Sequence, residues 1–408
     1  MAMNQSSNMQ SGRTRRRWRA GIGRRKHGGQ ISSATFLRIV GNTVKALDWI
    51  QKDYEVSERF LPDKDLFPTC NTLGELHLRL ENFKEALYYQ EKHLEIAEGA
   101  NNLAEQQRAN TQLGRTYHEI FLKSQDNHSA VQNAKKYFIL AIELAKNLKE
   151  NQWSSKSTFL TEYIDAHNNL GMLEIDLNNL EEAESILTKG LEICDEEEVG
   201  ENDDGRSRLH HNLGLVYMEF RNWKKAEEHI KKDILICESI RHCQGEAKGL
   251  INFGELHGRV QKYEEAISCY QKALLMAKSM EDEGALVDQI ELNIETVEAA
   301  IIVMKELKQG EQNLKRIQRC TEKSKDKACE RKYLLQQIEL VDLLIQKSSS
   351  ISAWIEHFKY ATIKNKIAER LCDKEKLADS FAKGGSCKKL RRFDEALMWY
   401  ERGFKFTN

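Results

Sequence analysis

Proline is nearly absent from this chain: Pro62 and Pro68 are the only two in 408 residues. Proline removes a backbone donor and clashes with the preceding turn, so its scarcity leaves long stretches free to be helical. No apolar run reaches the length of a membrane span, and residues 1–30 lack the apolar core of a secretory signal. The nine cysteines are scattered, with no Cys-x-x-Cys and no paired spacing. That pattern argues against a disulfide framework or a zinc site, and for reduced, mostly buried thiols in the cytosol or nucleus. A Gly-x-x-x-x-Gly-Lys phosphate loop, a Gly-x-Ser-x-Gly elbow and His-Glu-x-x-His are all missing. The expectation is therefore a protein that is not an enzyme and uses no cofactor or metal. His210-His211 is the one pair that invites a metal or base role. Adjacent helical residues point about 100° apart, so the two cannot serve one ligand, and packing or peptide contact is the better expectation.

What is present is charge and helix-forming composition. Asp, Glu, Lys and Arg make up 31% of the chain and hydrophobic residues 40%. The net charge of −1 hides a division. Residues 1–30 carry Arg13, Arg15, Arg16, Arg17, Arg19, Arg24, Arg25 and Lys26 without an acid, a total of +8 that leaves −9 for residues 31–408. The head reads as a disordered basic tail. Its segment 13–26 is either a nuclear localisation signal or nucleic-acid-binding arm, or an arginine-rich tail of no specific role. Direct nucleic-acid contact is an open expectation.

The body is organised by a repeat. Leu213-Gly214 is followed twelve residues after the glycine by Ala226. The same spacing links Leu73-Gly74 to Ala86, Leu170-Gly171 to Ala183, and Phe253-Gly254 to Ala266. Leu113-Gly114 pairs with Ala134 across an insertion of about eight residues in 122–131. The glycine, lacking a Cβ, is expected to let a second helix approach, with the alanine filling that contact. Seven residues after the alanine stand Ala141, Gly190, Asp233 and Ala273; four after it stand Phe138, Leu187, Ile230 and Tyr270. A degenerate copy precedes these at Ala46, with its first helix near Ser33–Val40.

This resembles the tetratricopeptide pattern, a Leu-Gly-x-x-Tyr first helix and an Ala-x-x-x-Phe second helix. The tyrosine place is filled by Tyr117 and Tyr217, but by His77, Glu174 and His257 elsewhere. The expected fold is all-α: a tetratricopeptide-repeat superhelical solenoid over 31–284 with an inserted long-helix segment at 285–375. In that insert Ile290, Ile294, Val297, Ile301, Met304 and Leu307 recur at helical spacing, a polar stretch at Thr321–Lys327 interrupts, and a second helix follows through Leu334, Ile338, Val341 and Leu344. Ser348–Ser350 is expected to cap a third helix near Ile351–Arg370. Gly384 and Ala396 begin a further, truncated repeat at 376–408. Since no polar capping element follows it, this end is expected to be a truncation or to be covered by a partner. Asp195–Asp204 reads as an acidic, solvated loop.

Stacked first helices of such repeats line a concave groove. With the glycine as position eight, positions two, five, nine, twelve and thirteen face it. These include Glu75 and Arg79; Arg115, His118 and Glu119; Asp165, Asn168 and Asp176; Arg208, His211 and Glu219; and Lys248, Glu255 and Arg259. So polar a face suits an extended, hydrogen-bonding peptide, although some of these groups, such as Glu75 and Arg79, can pair at i,i+4 spacing.

Several strings exceed what a tetratricopeptide repeat requires. They include Leu66-Phe67-Pro68-Thr69-Cys70, Gln112-Leu113-Gly114-Arg115-Thr116-Tyr117-His118-Glu119, Ala166-His167-Asn168-Asn169, Ser207-Arg208-Leu209-His210-His211-Asn212 and Leu371-Cys372-Asp373-Lys374-Glu375-Lys376-Leu377. Over about 45–408 they resemble the plant TONSOKU family, related to the animal tonsoku-like DNA repair protein. That resemblance implies a nuclear protein of replication-fork repair and chromatin maintenance. Its repeats would hold the histone H3 tail, preferring the replication-associated variant, with other replication or chromatin proteins as further partners. The family continues into a charged linker and leucine-rich repeats that this sequence does not contain, and its start differs from the first thirty-odd residues here. The alternative is a generic tetratricopeptide peptide-binding scaffold or adaptor, whose partners would outrank histones.

Overall fold

A computed structural model describes residues 43–60, 62, 66–124, 127–150, 156–196, 203–280, 283–372, 384–389, 392, 394–399 and 401. The basic tail and the expected helix at Ser33–Val40 lie outside these residues. All regular structure among them is helical. The helices are α1 Thr43–Phe60, α2 Phe67–Arg79, α3 Phe83–Gly99, α4 Leu103–Lys123, α5 His128–Glu150, α6 Lys156–Asp176, α7 Leu180–Glu196 and α8 Asp203–Glu219. They continue with α9 Trp223–Ser239, α10 Cys243–Arg259, α11 Tyr263–Ser279, α12 Gly284–Lys323, α13 Lys327–Ser350, α14 Trp354–Leu371 and α15 Gly384–Lys389.

Contacts divide the chain into two compact units, Met1–Leu256 with Lys272–Val287, and His257–Gln271 with Asp288–Asn408. The sequence places a domain limit at 284–285; the contact division instead passes through α10, α11 and the start of α12.

In the first unit, consecutive helices pack as antiparallel hairpins. Most turns end a helix with a residue at positive φ: Glu81, Asn101, Asn178, Arg221 and Arg241, at 50° to 59°. The next amide then reaches back to the last turn, as Asn82 N does to His77 O at 2.9 Å and Asn222 N to Tyr217 O at 2.9 Å. This closure satisfies carbonyls that a helix end leaves open. Asn102 and Asn222 then cap the following helices by accepting from the amides of Glu105 and Lys225. One apolar cluster joins α1 to α3 through Ile50, Tyr54, Leu73, Leu76 and Tyr89. A larger one runs from α5 to α10 through Leu160, Ile164, Leu187, Leu209, Leu213, Val216, Ile230 and Leu256.

The repeat glycines are close-approach points, but their neighbour is not the alanine. A Cβ on Gly214 would stand 2.8 Å from Ile230 Cγ1, on Gly171 2.5 Å from Leu187, on Gly114 2.5 Å from the Phe138 ring and on Gly74 2.8 Å from Gln90. In each case the facing residue lies four beyond the signature alanine. Ala86, Ala134, Ala183 and Ala226 are themselves fully buried.

The second unit holds the expected long helices. α12 has 40 residues, and α13 starts behind Asp326, whose carboxylate accepts from the amides of Ala328 and Cys329. Leu307, Leu314, Leu334, Ile338, Val341, Leu344, Tyr360 and Ile367 form its core. Gly310 lets Leu344 pack closely, since a Cβ there would overlap the Leu344 side chain.

Two expectations are corrected. Ser348–Ser350 does not cap a third helix: it is the end of α13, where Ser348 and Ser350 donate to the carbonyls of Ile345 and Lys347. Asp195 lies in α7, and Asp203 and Asp204 open α8, where negative charge complements the helix dipole. Only 197–202 of the expected acidic loop lies outside the described residues.

Candidate peptide-binding face

The first helices of the repeats in the first unit are α2, α4, α6, α8 and α10, which carry the expected groove residues. Side chains link these helices rung by rung. Between α4 and α6, Arg108 Nε donates to Glu162 Oε1 at 2.7 Å, and Gln107 Nε2 to the Glu162 carbonyl at 2.9 Å. Burial pushes the Glu162 carboxyl up from its ordinary range, and Arg108 draws it partly back. Between α6 and α8, Arg208 pairs with Asp165 at 2.6 Å and Asn212 donates to Asn168 at 2.8 Å. Between α8 and α10, the Asn252 amide lies 3.2 Å from His211 Nε2 and 3.4 Å from Nδ1.

The expected residues fall into three groups. His118, Asn168 and Asp176 serve the scaffold. His118 is buried with Nε2 2.8 Å from Asp176 Oδ2, so α4 is tied to α6. Asn168 is 3% exposed, which corrects its expected place as an open groove contact: it accepts from Asn212 within the ladder. Glu75, Arg79, Asp165 and Arg208 are partly exposed and already paired, Glu75 with Arg79 at 2.9 Å as the sequence expects, and Arg208 also with Asp204 at 3.1 Å. Arg115, Glu119, Glu219, Lys248 and Arg259 are exposed and Glu255 half-buried. Arg259 belongs to the second unit, so it is not grouped with the others. His211 remains a quarter exposed, with Nδ1 2.9 Å from the buried Asp233 Oδ2.

His210 turns away, as the spacing predicts. Its Nδ1 lies 2.9 Å from His229 Nδ1 across the α8–α9 hairpin. Two such nitrogens bond only if one ring carries the proton there and the other does not. Burial pushes the His210 ring down to about 4, and the neighbouring His229 adds to the shift; burial also lowers His229.

The sequence reading missed Arg108, Glu162, Asn212, Asp233 and Asn252. Two signals for them existed. Asn212 and Asn252 each stand two residues before the signature glycine. Asp233 occupies a place that Ala141, Gly190 and Ala273 fill in three other repeats and His93 in the Gly74 repeat, and a buried carboxylate there is an exception worth a question.

Charge is uneven as well: residues 31–256 carry a net −13 and residues 257–408 a net +4. Among the described residues no group of three His, Cys, Asp or Glu side chains could hold a metal ion, and no helix is long and apolar enough to cross a membrane.

Residues 162–232 and 247–279 match the tetratricopeptide repeat family. These segments are tetratricopeptide repeats. They span α6 to α9 and α10 to α11, so the ladder between α6, α8 and α10 lies on the first helices of matched repeats, and the all-α tetratricopeptide fold follows. Stacked tetratricopeptide repeats form extended protein-binding surfaces, and this chain is a protein-interaction scaffold at that level. Among solved structures, the apo quorum sensor NprR from B. thuringiensis is similar at 13% identity and a TM-score of 0.46, over 94% of this chain and 87% of that one. BtubC (BKLC) from P. vanneervenii is similar at 16% identity and a TM-score of 0.44, over 60% of this chain and 92% of that one. A Rap protein complexed with competence and sporulation factor is similar at 13% identity and a TM-score of 0.41, over 94% of this chain and 98% of that one. No curated protein matches the chain.

Proposed function

We propose that this chain is a non-enzymatic, nuclear histone reader that holds the amino-terminal tail of histone H3 on the ladder face of α4, α6, α8 and α10, in replication-fork repair and chromatin maintenance. The resemblance of strings such as Ser207–Asn212 to the TONSOKU family motivates the identity of the ligand. The observation that carries the reading is the net −13 of residues 31–256, coupled with a face of amide and carboxylate side chains. Such a surface attracts a cationic, extended peptide and speeds its encounter. Fluorescence anisotropy with an unmodified H3 tail peptide tests it. Micromolar or tighter binding is expected, weakened by Glu119→Lys, which alters an exposed side chain. Absence of binding at low salt contradicts it.

A second reading, a generic tetratricopeptide adaptor, is favoured by the exposed cations Arg115 and Lys248 on the same helices. It predicts that affinity capture from cells returns a non-histone partner above histones.

A further inference from the structure

Asp233 is an acid at a place where three other repeats hold Ala141, Gly190 and Ala273 and the Gly74 repeat holds the buried His93, and it is 2% exposed. Three neighbours accommodate it. Ser207 Oγ donates to Oδ1 at 2.7 Å, Cys237 Sγ lies 3.6 Å from the same oxygen, and His211 Nδ1 lies 2.9 Å from Oδ2. Gly249 on α10 completes the space, since a Cβ there would come 3.2 Å from Asp233 Oδ2 and 2.7 Å from Ile234 Cγ1. Burying a carboxylate is unfavourable unless its oxygens are bonded, and here the bonds come from a hydroxyl, a thiol and an imidazole. Glu75, Glu162 and Asp165 differ, because each already pairs with an arginine of the chain.

The carboxylate decides which way the imidazole serves. A hydrogen bond to the Asp233 carboxylate places a proton on His211 Nδ1, and in the neutral ring Nε2 then holds the lone pair. Asn252 Nδ2 is nearly equidistant from the two ring nitrogens, whose lone pairs point apart. It therefore lies over the ring rather than along the in-plane direction of the Nε2 lone pair. The ring is a quarter exposed, at a groove position, with a negative charge directly behind it.

We propose that the His211–Asp233 pair is a subsite for a cationic side chain, a lysine ammonium or arginine guanidinium, which donates an N–H to His211 Nε2. His211 is the contact and Asp233 the positioning residue. This rests on the peptide-binding reading of the ladder face, and supplies it with one defined pocket of charge.

Imidazole 15N spectra of the full chain, titrated with an H3 tail peptide and separately with hexa-arginine, test it. Free His211 is expected as the Nδ1–H tautomer, with Nε2 shifting as either peptide binds. Asp233→Asn and His211→Gln are each expected to weaken binding about tenfold or more, as loss of a buried charge or of its contact does. His211→Gln alters a partly exposed residue, so it reports even if Asp233→Asn unfolds the hairpin. H3 binding that leaves His211 unmoved, or unchanged affinity in the folded variants, overturns the subsite and spares the histone reading. A His211 shift with hexa-arginine but no H3 binding supports the subsite and overturns the histone reading. No His211 shift with either peptide overturns the subsite.

Discussion

Gly114 and its counterparts are held to glycine by one side chain each. A methyl group on Gly114 would sit 2.5 Å from the Phe138 ring, which is fully buried. Alanine gains about 1 kcal/mol of helix propensity over glycine, whereas overpacking a buried ring costs about 1–3 kcal/mol, so the clash wins. Gly114→Ala is expected to lower stability in urea melts, and adding Phe138→Leu to recover part of the loss. A stabilised Gly114→Ala would contradict the close approach. The glycine spacing was fully legible in the sequence, but its partner was misassigned to the alanine. Helical side chains lean toward the N-terminus, so the spot facing the glycine is covered from one turn further on, by Phe138, Leu187 or Ile230. His210 and His229 yield a second test at this scale. Burial favours the neutral form of both rings in the fold and takes His210 down to about 4, while an unfolded histidine titrates at its ordinary value near 6.5. The unfolded chain therefore binds more protons as pH falls below about 6.5, and native stability declines toward pH 4 by roughly 2–3 kcal/mol from His210 alone. His210→Gln is expected to flatten that decline in melts from pH 7 to pH 4; an identical slope would contradict it.

Helices and their order were legible because alternating apolar faces and rare prolines leave few other structures open. Their ends were not. Glu81, Arg221, Arg241 and Gln261 close helices at positive φ without being glycine, and residue type gives no warning of it. The same blindness moved the third long helix: Ser348–Ser350 looked like a cap, yet the chain turns at Ser352, φ 54°, with Ala353 N bonded to Ser348 O at 2.9 Å. Left-handed backbone costs a non-glycine residue about 1–2 kcal/mol. Arg241 is exposed, with φ 56°, so Arg241→Gly is expected to raise stability by about 0.5–1 kcal/mol in a denaturant midpoint. A lower midpoint would show that its side chain contributes more than the backbone strain removes.

At the scale of the molecule, the sequence conveyed that first helices share a polar face, but not how that face is used. Spacing alone treats Asn168 and His211 as equivalents. In the fold Asn168 is buried and accepts the bond from Asn212, whereas His211 stays a quarter exposed above a buried acid. Pairings across α6, α8 and α10 join residues more than forty positions apart, and no local pattern encodes them. The head and the segment that follows it are opposite in charge, +8 over residues 1–30 against −13 over 31–256. A cationic ligand therefore competes with salt, and its affinity is expected to fall as ionic strength rises and screening shortens.

Isothermal calorimetry of the full chain with unmodified H3 tail peptides, replication-associated variant against replacement variant at low salt, is the most direct measurement. The account predicts one-to-one binding at micromolar affinity or tighter, stronger for the replication-associated variant. No heat of binding from either peptide would contradict it.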